Sequence, residues 1–180
     1  TTQANASITA TAGTIFDQGG TGGEDVIADG LRLFAGTGVG ELGMAVDPIE
    51  TLVTTVSARA TSGGISLLES DALIVDDVEV TIQRVEMDAD ITEIVDATQS
   101  DLSTTGGDGS IVVKTTAGNI TLNDGTAVMD NTAIDANGAG NILVQALGAG
   151  TDITSNADIN SATGHITAVA AQSVEFTATA

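Results

Sequence analysis

The stretch GDGSIVVKTTAGNITLNDG, residues 107–125, sets Gly109-Ser110-Ile111 nine residues ahead of Gly118-Asn119-Ile120. Each triplet opens a short run in which apolar and polar residues alternate, the pattern of a β-strand. Glycine suits a corner, where a positive φ is often needed, and asparagine is tolerated beside it. The signal returns as Gly140-Asn141-Ile142 and Gly164-His165-Ile166, at spacings of 22 and 24 residues. Backward, Gly64-Ile65 lies 46 residues before Ile111, about two such units. Self-similarity at roughly 20–30 residues marks a solenoid, and units this short with period-two alternation coil as strands. The fold expected is all-β: a parallel β-helix of roughly eight coils of about 22 residues. Stacked at about 4.8 Å per coil, it makes a rod on the order of 40 Å long. Asn119 and Asn141 are expected to share one corner ladder, with His165 a turn residue on it.

Composition agrees with a thin core. Of 180 residues 42% are apolar, yet there are three Phe, no Trp and no Tyr. A core of this size normally uses more aromatic area, whereas a narrow one lined by Ala, Val, Ile and Leu does not need it. Twenty-two glycines and one proline, with abundant threonine, are strand and turn chemistry. Four basic residues (Arg32, Arg59, Arg84, Lys114) face 25 acidic ones, for a net charge of −21. Such a balance argues against nucleic acid and against an anionic membrane surface, and makes divalent cations natural counter-ions. Zero cysteines exclude disulfides and thiolate metal sites. No apolar run approaches the roughly 20 residues of a membrane-spanning helix. The start Thr-Thr-Gln, without Met or a signal-like apolar region, is that of a mature product or an excised segment.

One domain, residues 1–180, is expected. Its N-terminal part, 1–30, is less regular, 31–105 form a first block, and 106–180 carry the regular Gly-x-Ile coils. The stretches 7–17 and 30–36 alternate like strands. Residues 46–60, VDPIETLVTTVSARA, offer a helix start at Asp47, Pro48 and Glu50, with Ile49, Leu52, Val53 and Val56 on one face. Their Val and Thr content favours a strand. Residues 76–94 alternate as two half-exposed strands. Val78, Val80 and Ile82 face one way; after a slip at Arg84, Val85, Met87, Ala89 and Ile91 point inward.

These residues resemble the repeat units of very large bacterial surface exoproteins, the β-solenoid adhesins similar in style to filamentous haemagglutinin. The stretch GTGVGELGMAVDPIETLVTTVSARATSGGISLLESDAL, and later GDGSIVVKTTAGNITLNDGTAV, carry the likeness. Gly36–Gly40 form the G-x-G-V-G turn, Pro48–Val53 the P-I-E-T-x-V segment, and Gly63–Ile65 the strand start. The resemblance covers residues 30–180. It implies a right-handed coil, an extracellular or cell-surface location, and a structural or adhesive role without catalysis. Its partners would be neighbouring repeats of a longer chain, or further copies stacked end to end, with surface glycans or matrix as targets. Members of that family are far longer than this chain. The C-terminal SVEFTATA runs out as strand with no capping helix, and an uncapped coil end invites polymerisation.

Two acidic groups are candidate calcium sites, although the fold requires no cofactor. GGTGGEDVI, residues 19–27, nearly matches the calcium β-roll nonapeptide, with Glu24 in place of Asp and Asp25 one position late. The second group is Asp76, Asp77, Glu79, Glu86, Asp88 and Asp90, whose like charges would repel if their strands stacked as adjacent coils without a cation. An alternative function is a carbohydrate-active β-helix using Asp88, Asp90 and Arg84 on a polysaccharide; another is a calcium-dependent binding module. Alternating carboxylates are ordinary on a soluble strand, and without Trp or Tyr little remains to stack on a sugar ring. One histidine without a nucleophile elbow is no triad. Thr-x-Thr pairs at Thr9/Thr11 and Thr177/Thr179 are too few for an ice-binding array. Sequons stand at Asn5 and Asn119.

Overall fold

The computed structural model describes residues 4–20, 22–43 and 46–177. Thr21 of the glycine-rich stretch, Met44 and Ala45 of the adhesin-like segment, and Thr179 of the last Thr-x-Thr pair lie outside them. Every described element is a strand, and all but one antiparallel hairpin stack in parallel as a solenoid. The first rung supplies β1 (Ala6–Ala10). The second supplies β2 (Val26–Ile27) and β3 (Gly30–Ala35), and the third β4 (Ile49–Leu52) and β5 (Thr55–Ala60). Residues 46–60 thus take the strand alternative. Pro48 precedes β4, where its missing N–H breaks no ladder bond.

The fourth rung begins with β6 (Ile65–Glu69) and β7 (Leu73–Val75). It then leaves the coil as a hairpin, β8 (Val78–Val85) and β9 (Ile91–Gln99), and resumes at β10 (Leu102–Thr104). The fifth rung holds β11 (Ile111–Thr115), β12 (Ile120–Leu122) and β13 (Thr132–Ala136). The sixth holds β14 (Ile142–Ala146), β15 (Asp152–Ser155) and β16 (Asp158–Ser161). Last come β17 (Ile166–Ala170) and β18 (Ser173–Phe176).

Inward positions form continuous ladders. Ile15, Val39, Ile65, Ile111, Ile142 and Ile166 pair in succession along one wall. On the other wall run Ile8, Leu33, Ala58, Leu102, Ile134 and Ile159. Leu33, Ala58, Leu102 and Ile134 are wholly buried, which is why small and branched aliphatics suffice for this core. The Ile ladder has six members and so a height of about 24 Å, less than the spacing of the Gly-x-Ile signals suggested. Coils differ in length: hydrogen bonds between equivalent positions of neighbouring rungs span 25, 26, 46, 31 and 24 residues.

The difference arises because the coil has two kinds of corner with one chemistry. Asn141 opens β14, and its Oδ1 accepts the His165 N–H at 2.8 Å, so these two share a ladder as expected. Ser110 precedes them in it, its Oγ accepting the Asn141 N–H at 3.0 Å. Asn119 stands at the other corner. It opens β12, and its Oδ1 accepts from the Asp152 N–H at 2.9 Å. The 22-residue step from Ile120 to Ile142 therefore joins different walls, and the expected pairing of Asn119 with Asn141 does not occur.

The largest excursion is the hairpin. Thr55 and Val56 of β5 pair with Ile74 and Val75, while Ala58 to Ala60 pair with Leu102 to Thr104. The arm is thus inserted in mid-strand, opposite Ser57 alone. Gln99 fills the gap, its Nε2 donating to the Leu33 carbonyl at 2.9 Å. The arm runs back over the outside of earlier rungs, with Arg32 Nε donating to the Ala97 carbonyl and Asn5 Nδ2 to that of Glu79. Val78 and Val80 are buried in that contact. Beyond them the expected inward set fails: Val85, Met87 and Ile91 are exposed, and Ala89 forms the tip turn at φ 69°. Alternation here belongs to an antiparallel arm in water, not to two coils.

Candidate functional site

Acidic groups dominate the surface, and the structure separates them by environment. Glu24 is drawn to Ser70, whose hydroxyl donates to Glu24 Oε1 at 2.8 Å; that bond holds the carboxyl below its usual pKa. Asp76 and Asp77 lie at the hairpin root as turn caps. Asp76 accepts from Asn123 Nδ2 at 2.8 Å, and Asp77 accepts the Thr126 N–H and hydroxyl. Glu79 accepts the Thr98 hydroxyl across the arm at 2.9 Å. Glu86 pairs with Arg84 at 2.6 Å, and Asp88 Oδ1 accepts the Asp90 N–H at 3.2 Å in the exposed tip. The second candidate group is therefore spread along one arm instead of stacked rung on rung.

Among the described residues, Asp25 is the one of the eight candidates that belongs to a cluster of three carboxylates. Its oxygen, one of Asp17 and one of Glu50 all lie within 4.8 Å of one another. Two rungs and one loop build the cluster. Asp25 and Glu50 face each other between rungs: the Asp25 N–H donates to the Glu50 carbonyl at 2.8 Å, and the Glu50 N–H to Asp25 Oδ2 at 3.0 Å. Asp17 opens the loop that returns to Asp25, accepting the Gly19 N–H at 2.7 Å. Glu50 occupies an outward position of β4 but is only 6% exposed, and both its carboxylate oxygens are buried without a partner. Burial first, then the adjoining Asp25 carboxyl through contact and charge, and last the charge of Asp17, push its carboxyl above the usual carboxylate range.

Two further buried acids escaped the sequence reading. Glu69 ends β6 in an inward column and is wholly buried at the corner. Its Oε2 accepts from the Thr51 hydroxyl (2.7 Å) and the Val53 N–H (3.1 Å); its Oε1 accepts from the Ser70 and Asp71 N–H groups. Burial raises its pKa although these bonds oppose the shift. The alternation Ile65, Leu67, Glu69 was the available signal, an acid in phase with the core. Asp101 closes the hairpin at φ 68° beside a cleft of about 270 Å³ lined by Arg59, Ser103, Asp130 and Asp135. Its Oδ2 accepts from the Ser100 hydroxyl, while Oδ1 is buried without a partner.

Burial pushes the Asp101 carboxyl up to about 6. A folded pKa above the unfolded one means that the folded state binds the extra proton between about pH 4 and pH 6. Stability from this group is full below that window and lost as pH rises through it. Asp101→Asn, which keeps a residue tolerant of the left-handed turn, is expected to remove about 2 kcal/mol of the stability difference between pH 4.5 and 7.5. Urea unfolding at both pH values checks this; an unchanged difference would mean that Asp101 is hydrated in solution.

The last rung is the other distinctive surface. Ile166, Val174 and Phe176 occupy the inward columns of Ile142, Ile153 and Ser155. They are exposed, whereas the residues they follow are buried. No family model, curated protein or solved structure matches the chain.

Proposed function

We propose that the chain is a non-catalytic, extracellular structural rod, a right-handed parallel β-helix serving as an adhesin segment or a self-stacking filament subunit. The observation that carries this reading is the exposed last rung. Its apolar residues lie in register with the core ladders, and among the described residues its strand edges offer unpaired main-chain groups. Another parallel rung, from further chain or a neighbouring copy, supplies both the missing strand and the missing apolar cover. The right hand follows the general rule for parallel crossovers. The acidic jacket supports the same role, since like-charged flanks repel lateral association while leaving the axial direction open.

Electron microscopy of the purified 180-residue chain tests the proposal. Uniform fibres with an axial repeat near 4.8 Å would identify a filament subunit, and isolated short rods an adhesin segment. Release of fragments from a panel of acidic polysaccharides would overturn the non-catalytic reading in favour of Asp88, Asp90 and Arg84.

A further inference from the structure

We propose that Asp17, Asp25 and Glu50 bind a divalent cation of the calcium type, fastening the chain at Asp17 to the second and third rungs. Three carboxylates converge here, and none is paired with a basic side chain: the ion pair among the described residues is Arg84–Glu86 at the hairpin tip. The decisive feature is Glu50. A solvated acidic cluster relaxes by turning its side chains to water, but Glu50 cannot, because both of its oxygens are out of reach of solvent and lack a donor. Leaving that carboxylate charged and bare is costly, so either a proton or a cation must neutralise it. One proton shared with Asp25 still leaves two negative charges crowded within the same few ångströms. A divalent ion neutralises the cluster far more completely.

The donor set selects the kind of ion. All three side chains offer hard oxygen, the chain has no cysteine, and the single histidine, His165, opens β17 at the other end of the solenoid. Calcium accepts roughly 6–8 oxygens in irregular geometry, so three carboxylates leave positions for water and main-chain carbonyls; magnesium demands a stricter octahedron. The site also explains a contrast within GGTGGEDVI: Asp25 faces the cluster, while Glu24 is turned to Ser70. The ion would bridge consecutive rungs through Asp25 and Glu50, not successive copies of the nonapeptide.

Isothermal titration of calcium into the chelator-stripped full chain, with thermal unfolding at each calcium concentration, decides the matter. Saturable binding of one ion with a dissociation constant below about 1 mM is expected, and an unfolding midpoint that climbs with calcium. Asp17→Asn, a change in the loop that leaves β4 intact, should weaken binding at least about ten-fold, as should Glu50→Gln. Asp88→Asn at the hairpin tip should leave it unchanged. No saturable heat up to about 10 mM calcium, well above the affinity range of extracellular modules, would overturn the proposal. So would binding that survives both variants. If Glu50→Gln stabilises the chain at neutral pH with no response to calcium, a shared proton neutralises the cluster instead.

Discussion

Gly140→Ala should destabilise the solenoid by about 3 kcal/mol, although it adds a single methyl group. Gly63, Gly109, Gly140 and Gly164 stack in one column at the corner before the Ile ladder. A Cβ at Gly140 would meet the Gly109 carbonyl oxygen, with the Gly109 carbonyl carbon at 2.8 Å and the Asn137 oxygen at 3.0 Å. These are all backbone atoms, so no rotamer change relieves the contact. Gly140 is not in the left-handed region, so the penalty is a clash between rungs and not torsional strain. Gly164 rests in turn on the Gly140 carbonyl, which passes any displacement to the next rung. Gly13, with nothing within 4 Å of an added Cβ, is the control; its alanine variant should stay within about 0.5 kcal/mol of the parent. Urea unfolding compares the two. A loss at Gly140 below about 1 kcal/mol would show that neighbouring rungs can part at that corner without cost.

Leu102→Ala should cost a similar amount, about 3–4 kcal/mol. Leu102 is the first inward residue after the hairpin, wholly buried between Ala58 below and Ile134 above. Ala58 is small and fixed in its own strand, so the rung beneath cannot collapse into the space. The cavity term therefore adds to the lost transfer energy. Ile166→Ala removes a side chain of equal size from the last rung, where Ile166 is 47% exposed, and should cost less than about 1 kcal/mol. Equal losses at the two positions would contradict the placement of Leu102 in the core ladder, or would mean that Ile166 is covered in solution. Sedimentation of the same samples separates those cases.

Strand content and the stacked Gly-x-Ile corners were legible because both depend on a few adjacent residues. Phase along the coil was not. Asn119 and Asn141 carry the same local signal, yet one opens β12 and the other β14, and only the pairing of Asn119 with Asp152 distinguishes them. Alternation in residues 76–94 fitted two rungs as well as an arm, since period two reports a half-buried strand whatever its partner. The carboxylate cluster was half visible. Asp25 stood out through its glycine-rich neighbours, but Asp17 and Glu50 reach it only through a return loop and an inter-rung register that no local pattern encodes. In sequence Glu50 fits a helix start beside Asp47 and Pro48, where exposure is ordinary for a carboxylate.

The mid-strand insertion has a consequence for how such a molecule can vary. The fourth rung spends 46 residues on a step that the sixth makes in 24, and the ladders pass through both without a break. Contour length and axial pitch are therefore uncoupled. Peptide added between Val75 and Leu102 lengthens an arm outside the coil, laid back over the earlier rungs, and leaves the spacing of everything above it unchanged. The shaft and what hangs from it can then diversify separately, one under selection for register and the other for whatever its exposed tip meets.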